Sequence, residues 1–202
     1  MTGFLTDSLL IANPAVSDNP KFENIAGRAV YIVEHSDKGA VGVSLNQNYS
    51  KRLEELAGNL PLLAHLSPDQ LVTEGKVIAG GPLFIDRPWL LSRNPKRYQG
   101  TMGNDSLRLS FDQNAFHDCA LKHMPCCGVG TFGWGAGQLE QELAHSLWHH
   151  FPSTLDVLES IPFDASVVGA ADLLAFMKYT DLKPRKPKSR FLNWGKRNES
   201  AW

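Results

Sequence analysis

The residues best suited to chemistry gather in the run GVGTFGWGAGQLE, from Gly128 to Glu140. Its first six residues match the spacing G-x-G-x-x-G. In a dinucleotide fold that pattern follows the first strand of a βαβ unit and opens a helix at its last glycine. Here a second cluster, Gly133 to Gly137, stands before the helix, and no clear strand ending in an acid follows at the required distance. Two readings remain. In one, a ligand or another strand approaches this backbone closely, and free N–H groups at the start of a helix from Gln138 hold an anion. In the other, the glycines pack tightly under the Trp134 ring.

Three other groups have the right residue types. A helix over 138–150 would bring Glu142, His145 and His149 within about 60° of one another. A carboxylate with two imidazoles is a partial ligand set for zinc or iron. No fourth ligand or H-E-x-x-H order accompanies it, and Leu139, Leu143 and Leu147 take a neighbouring face, so the cluster also fits a solvent-facing role. No metal and no cofactor is expected. Glu34 and His35 could supply a general base. Neighbours on a regular strand point to opposite faces, so a bulge or turn at His35 is needed to converge them. His117 and His123 flank Cys119, but a two-residue step does not put Cys119 and His117 on one helix face. Gly80, Gly81 and Pro82 allow a sharp reversal beside Asp86 and Arg87, and Asn46 caps a strand or bonds a turn. The G-x-S-x-G elbow, the Walker loop and the kinase motifs are absent.

The elements that must position these residues alternate between strand and helix patterns. Ser8 to Ala12 reads as a short buried strand stopped by Asn13 and Pro14. Arg28 to Glu34 and Ala40 to Asn46 read as two strands joined by a hairpin through His35–Gly39. Leu53, Leu56, Leu60 and Leu63 have helical spacing, weakened by Gly58 and Pro61. Strands are expected at 76–78, 88–93 and 107–111, in the front half of 128–137, and at 154–158. Asp112 can cap a helix to about Met124, a helix is expected over 138–150, and Asp164 can cap a last one to about Met177. The sum is one α/β (α+β) domain with a mixed sheet and helices packed on it.

The chain has 202 residues, 43% apolar and 20% charged, with a formal net charge of −1. That length and balance suit a single hydrophobic core and exclude a disulfide-stapled mini-fold. Cys119, Cys126 and Cys127 are odd in number and lack a C-x-x-C spacing, which favours reduced thiols and a cytoplasmic protein. The N-terminal stretch lacks a basic start and a long apolar run, so neither a signal peptide nor a membrane contact is expected. Charge is uneven: 178–202 carries eight basic and two acidic residues, +6, leaving −7 for 1–177. The expected division is therefore a domain over 1–177 and a flexible basic tail over 178–202. That tail is either a weak nucleic-acid arm or a solubilising segment that folds back on its acidic body.

Several of these pieces occur in an order that resembles the YqgE/AlgH family of bacterial proteins. They are LIANP ending at Pro14, VYIVEH ending at His35, GAVG from Gly39 with Asn46, Gly80-Gly81-Pro82 followed by Arg87, and Gly133-Trp134 through Gly137-Gln138 to Glu140, Glu142 and Trp148. The resemblance covers about residues 4–172. It implies a compact α/β domain around a bent, mixed β-sheet, and a link to transcriptional regulation. It carries over no catalytic residues. Many members have cysteine where this chain has Val33, and a histidine where it has Ser92. The expected function is a non-enzymatic regulatory or interaction protein with an unidentified protein or small-molecule partner. Its surface would gather Glu34, His35, Asn46, Gly80, Gly81, Pro82, Trp134, Gly137, Gln138 and Glu140. The alternatives are a hydrolase using Glu34 or His35 beside the glycine loop, and nucleic-acid binding through the tail.

Overall fold

A computed structural model describes residues 4–47, 77–92, 98–104, 107–120 and 126–152, with single positions at 49, 55, 64 and 175. In chain order its elements are β1 (Ser8–Ala12), β2 (Ala29–Ser36), β3 (Gly39–Ser44), β4 (Ile78–Ala79), β5 (Leu83–Ser92), β6 (Met102–Gly103), β7 (Arg108–Ser110), α1 (Gln113–Ala120), β8 (Cys126–Gly135), α2 (Gln138–Ala144) and β9 (Trp148–Pro152). Nine strands form one sheet. Eight follow the order β6-β7-β5-β8-β3-β2-β1-β9, and β4 lies beside β8. Among the described residues only the β4–β8 pairing is parallel. The mixed sheet agrees with the α+β expectation, although antiparallel pairing dominates it.

Apolar side chains cover both faces of the central strands, which is why β1 reads as a continuous apolar run rather than an alternating one. Leu9, Ile11, Tyr31, Val33, Val43, Trp89, Leu109 and Phe151 pack on one face. Leu10, Val30, Ile32, Ala40, Phe132, Trp134, Leu139 and Trp148 pack on the other, beneath α2. The sheet bends around the first cluster. A Cβ on Gly103 in β6 would lie 3.3 Å from the Val33 side chain in β2, with four strands between the two in the sheet order. The Asn104 amide bonds Asp7 across the same gap.

The first hairpin forms, but its turn is tighter than the expected His35–Gly39, since His35 and Ser36 pair within β2 and Gly39 within β3; β1 has the expected bounds. Asp112 accepts from the Asn114 amide at 2.7 Å and starts α1, with Ala115 and Phe116 buried. Two expectations are corrected. The glycine-rich run is strand through Gly135, not only in its front half. The helix from Gln138 stops at Ala144 instead of His150, and Trp148–Pro152 is a strand paired with β1. Ser146 adopts φ 58°. Its N–H donates to the Leu143 carbonyl at 3.0 Å, and the Leu147 N–H donates to the Glu142 carbonyl at 2.9 Å. These two bonds make a Schellman ending, in which a left-handed residue turns the chain off the helix axis.

The expected helix at 53–66, the strand at 154–158, the last helix at 164–177 and the tail at 178–202 lie outside the described residues, apart from isolated positions. Among the described residues no helix is long and apolar enough to cross a membrane.

Candidate functional site

The site begins with an irregularity in β2. Ile32 pairs with Gly42 but Glu34 pairs with Val41, so β2 advances two residues while β3 advances one. Such a bulge reverses the alternation of side chains beyond it. Regular alternation would put His35 on the face of Val33. With the bulge it shares the α2 face with Ile32 and Ala40, and Glu34 is left exposed. The bulge lies before both residues, so Glu34 and His35 keep the opposite faces of a regular strand and do not converge.

The His35 side chain is 1% exposed, and both ring nitrogens are engaged. Nδ1 accepts the Leu5 N–H at 3.0 Å. Nε2 stands 2.9 Å from Oε1 of Glu140 on α2. Because Nδ1 is an acceptor, the ring proton sits on Nε2, toward the carboxylate. The carboxylate lies off the N–H axis, so the contact is a close polar approach rather than an aligned hydrogen bond. Contact with the imidazole holds the Glu140 carboxyl below the usual carboxylate range, against the opposing pull of burial. Its Oε2 is buried without a hydrogen-bond partner among the described residues.

A second polar cluster fixes the other side of α2. Glu142 Oε2 accepts the indole N–H of Trp134 at 2.8 Å and of Trp148 at 2.7 Å. Its Oε1 accepts from the Gln138 amide at 3.1 Å. Gln138 in turn accepts the Gly135 N–H at 3.1 Å through its own Oε1. Gly137 precedes α2 at φ 75°, a backbone state that suits glycine. The Phe132 and Trp134 rings stack at 5.6 Å, and Trp148 meets both edge-on. His35, Trp134, Gly137, Gln138 and Glu140 thus form one neighbourhood, with His35 and Trp134 both paired across from Ala40.

The remaining candidates lie elsewhere. Asn46 is buried beyond the opposite end of the hairpin. It accepts the Ala29 N–H at 2.8 Å and donates to the Gly27 carbonyl at 2.8 Å. Gly80 joins it through Ser44, whose N–H donates to the Gly80 carbonyl at 2.7 Å and whose hydroxyl contacts Asn46 at 3.2 Å. A Cβ on Gly81 would meet the Thr131 carbonyl oxygen at 2.3 Å, so Gly80 and Gly81 are crossed closely by strand β8, and Pro82 follows them, exposed.

Glycines do pack beneath an indole, but the ring is Trp89 rather than Trp134. Added Cβ atoms on Gly80 and Gly128 would lie 2.7 and 2.3 Å from Trp89 Cζ2. The Trp89 N–H donates to the Gly130 carbonyl at 2.6 Å. Trp89 carries no local signal because its partner Gly130 is distant in sequence, whereas Trp148 belongs to the motif of the resemblance and bonds Glu142, close by in the chain. Glu142 was a candidate only as a metal ligand. With His149 on β9 and the His145 Nδ1 turned to the Gln141 carbonyl at 2.8 Å, the three-residue helical face does not form. Among the described residues no three metal-ligating side chains converge. The Cys127 thiol is pushed up to about 12 by burial, which keeps it in the unreactive protonated form. The side chains of His117, Cys119 and His123 are outside the described residues.

Comparison with known proteins bears on all of this. A family model described as AlgH-like matches residues 9–169. A UPF0301 protein of Nitrosospira multiformis is 32% identical over 174 residues, spanning 84% of this chain and 90% of the relative. A UPF0301 protein of Pseudomonas fluorescens is 33% identical over 175 residues, spanning 83% and 87%. The solution structure of the AlgH protein from Pseudomonas aeruginosa matches with a TM-score of 0.69 at 28% identity, covering 91% of this chain and 92% of that one. A crystal structure of a Corynebacterium diphtheriae protein matches with a TM-score of 0.59 at 19% identity, covering 88% of each chain, a likeness of fold alone.

Proposed function

This chain belongs to the AlgH-like family, and from that membership we propose that it is a cytoplasmic, non-enzymatic regulatory or interaction protein whose contact surface is the α2 end of the sheet. The surface comprises Trp134, Gly137, Gln138 and Glu140, backed by His35. Asn46 and Gly80–Pro82 support the frame from the far end of the hairpin. The domain over 1–177 carries this surface, and the basic segment 178–202 is an appendage to it.

One observation supports this reading above the others: apart from Glu140 Oε2, the polar groups here are turned toward one another. Glu142 accepts three hydrogen bonds, from two indoles and an amide. The His35 ring uses one nitrogen for the backbone and turns the other to Glu140. A general base needs an available lone pair facing substrate, and the His35 lone pair already faces Leu5. Such cross-bonding favours a rigid presenting surface, with exposed Gly135 and Ala136 between the paired groups. Residues in that state suit recognition, in which preorganised groups lose little entropy on contact.

Photo-crosslinking in cells tests it. A photoreactive residue at exposed Gln138 should yield a recurrent adduct that is absent when the same residue replaces Lys21. Equal adduct patterns at both positions would remove the α2 end as the contact surface.

A further inference from the structure

We propose that His35 is a proton-operated latch that holds the N-terminal segment, residues 4–6, against the end of β2. This goes beyond partner binding and stands whether or not the α2 end contacts anything.

Three bonds and a ring contact make the latch. The Leu5 N–H donates to Nδ1 of His35 at 3.0 Å. The His35 N–H donates to the Thr6 hydroxyl at 2.9 Å, and that hydroxyl lies 3.4 Å from the His35 carbonyl. The Phe4 ring meets the imidazole edge-on at 5.4 Å. Beyond the latch the chain is anchored separately. The Asp7 N–H donates to the Ile32 carbonyl at 2.9 Å, and its carboxylate binds the Tyr31 hydroxyl and the Asn104 amide. Asp7 itself sits at φ 60°, so the chain turns sharply between latch and anchor.

The latch requires an unprotonated Nδ1. A proton taken from solvent occupies the lone pair that accepts the Leu5 N–H, and two N–H donors then face each other in a buried space. The ring cannot turn to relieve this, because Nε2 is set against Glu140 at 2.9 Å. The Leu5 contact is therefore the one that breaks, and residues 4–6 lift while Asp7 stays anchored. The elements around the ring carry few other charges. Glu140 and Glu142 come from α2, Asp7 from the N-terminal segment, and Glu34, Asp37 and Lys38 from the hairpin itself. Glu142 is committed to the indoles and Glu34 is on the opposite face. The facing stretches of β3 and β8, Gly39–Ser44 and Gly128–Gly135, contain no titratable side chain. Among these groups the Glu140 carboxylate is the one set directly against the ring, across from the Leu5 N–H.

Amide exchange measured residue by residue on the full chain tests the latch, with rates normalised to intrinsic exchange at each pH. Protection at Leu5 should fall by about tenfold or more between roughly pH 8 and pH 5, the range where imidazoles titrate, while Leu10 and Ile11 in β1 keep theirs. His35→Gln should remove the pH dependence at Leu5. Glu140→Gln should move the opening to lower pH, a shift that simple loss of packing would not produce. Protection that is invariant with pH, or that falls together at Leu5 and Leu10, overturns the latch. Should H35Q fail to fold, the ring nitrogen shifts of the wild-type protein decide. An unprotonated Nδ1 at pH 8 agrees with the latch, and a proton on Nδ1 there overturns it.

Discussion

Trp134 and Trp148 donate their indole N–H groups to the same carboxylate oxygen of Glu142, at 2.8 and 2.7 Å, while their rings meet edge-on at 6.3 Å. One comes from the end of β8 and the other from the start of β9, strands at different places in the sheet. The carboxylate between them therefore ties α2 to both. Removing it leaves two nearly buried donors unsatisfied. Glu142→Ala should destabilise the protein by about 2–6 kcal/mol, at about 1–3 kcal/mol for each of the two orphaned groups. A urea titration checks this, and a loss below about 1 kcal/mol would mean that water replaces the carboxylate.

Glu140 gives stability a pH dependence of definite sign. Its carboxyl is held below the ordinary range by His35 when folded and returns to that range when unfolded. The unfolded chain therefore binds the proton more readily. The stabilisation is fully present above the ordinary carboxylate pKa and is lost as pH falls through the depressed value. Urea midpoints measured from neutral pH downward should fall more steeply in the wild type than in Glu140→Gln. Parallel curves would show that this carboxylate is equally acidic in both states.

The glycines of β8 divide into two kinds. A Cβ on Gly128 would lie 2.3 Å from Trp89 and 2.5 Å from the Ile78 carbonyl, whereas one on Gly135 would find only Gln138 Oε1, at 4.0 Å. Neither has a positive φ. Gly128→Ala should cost about 1–3 kcal/mol or more through overpacking against a ring that is itself hydrogen-bonded in place. Gly135→Ala should stay within about 0.5 kcal/mol of wild type, as an exposed substitution does. Thermal unfolding of the two variants separates the packing role from the open one, and equal losses would contradict the division.

What could be read locally was read well, and what depends on distant partners was not. β1 and the first hairpin have their causes within a few residues: a proline stop, β-branched runs, and turn-forming residues within His35–Gly39, of which the structure uses Asp37 and Lys38. The bulge that turns His35 toward α2 leaves no local mark, since Val33 is as apolar as a regular strand residue. β9 pairs Trp148 with Ala12 and Phe151 with Leu9, contacts across well over a hundred residues. Trp134, Gln138 and Glu140 were legible as neighbours because Gly137 opens a helix between them. Their separation from Asn46 and Gly80 was not, because it follows from which end of the hairpin each strand reaches.

The end of α2 lies one turn and more before the point its apolar spacing predicts. Leu139, Leu143 and Leu147 continue a helical spacing past the true stop, so the apolar pattern argues for a longer helix. The stop is set by Ser146 at φ 58°, where glycine would be usual. A residue with a Cβ pays about 1–2 kcal/mol for that conformation. Both hydrogen bonds of the Schellman ending come from backbone N–H groups, so they do not need the serine side chain. Ser146→Gly should therefore relieve most of the strain and raise stability by about 1 kcal/mol, net of the entropy that glycine adds to the unfolded chain. Ser146→Val should lower stability, because a β-branched residue resists the left-handed region most. If urea unfolding instead finds Gly weaker than Ser, the left-handed turn at Ser146 holds no strain for glycine to relieve.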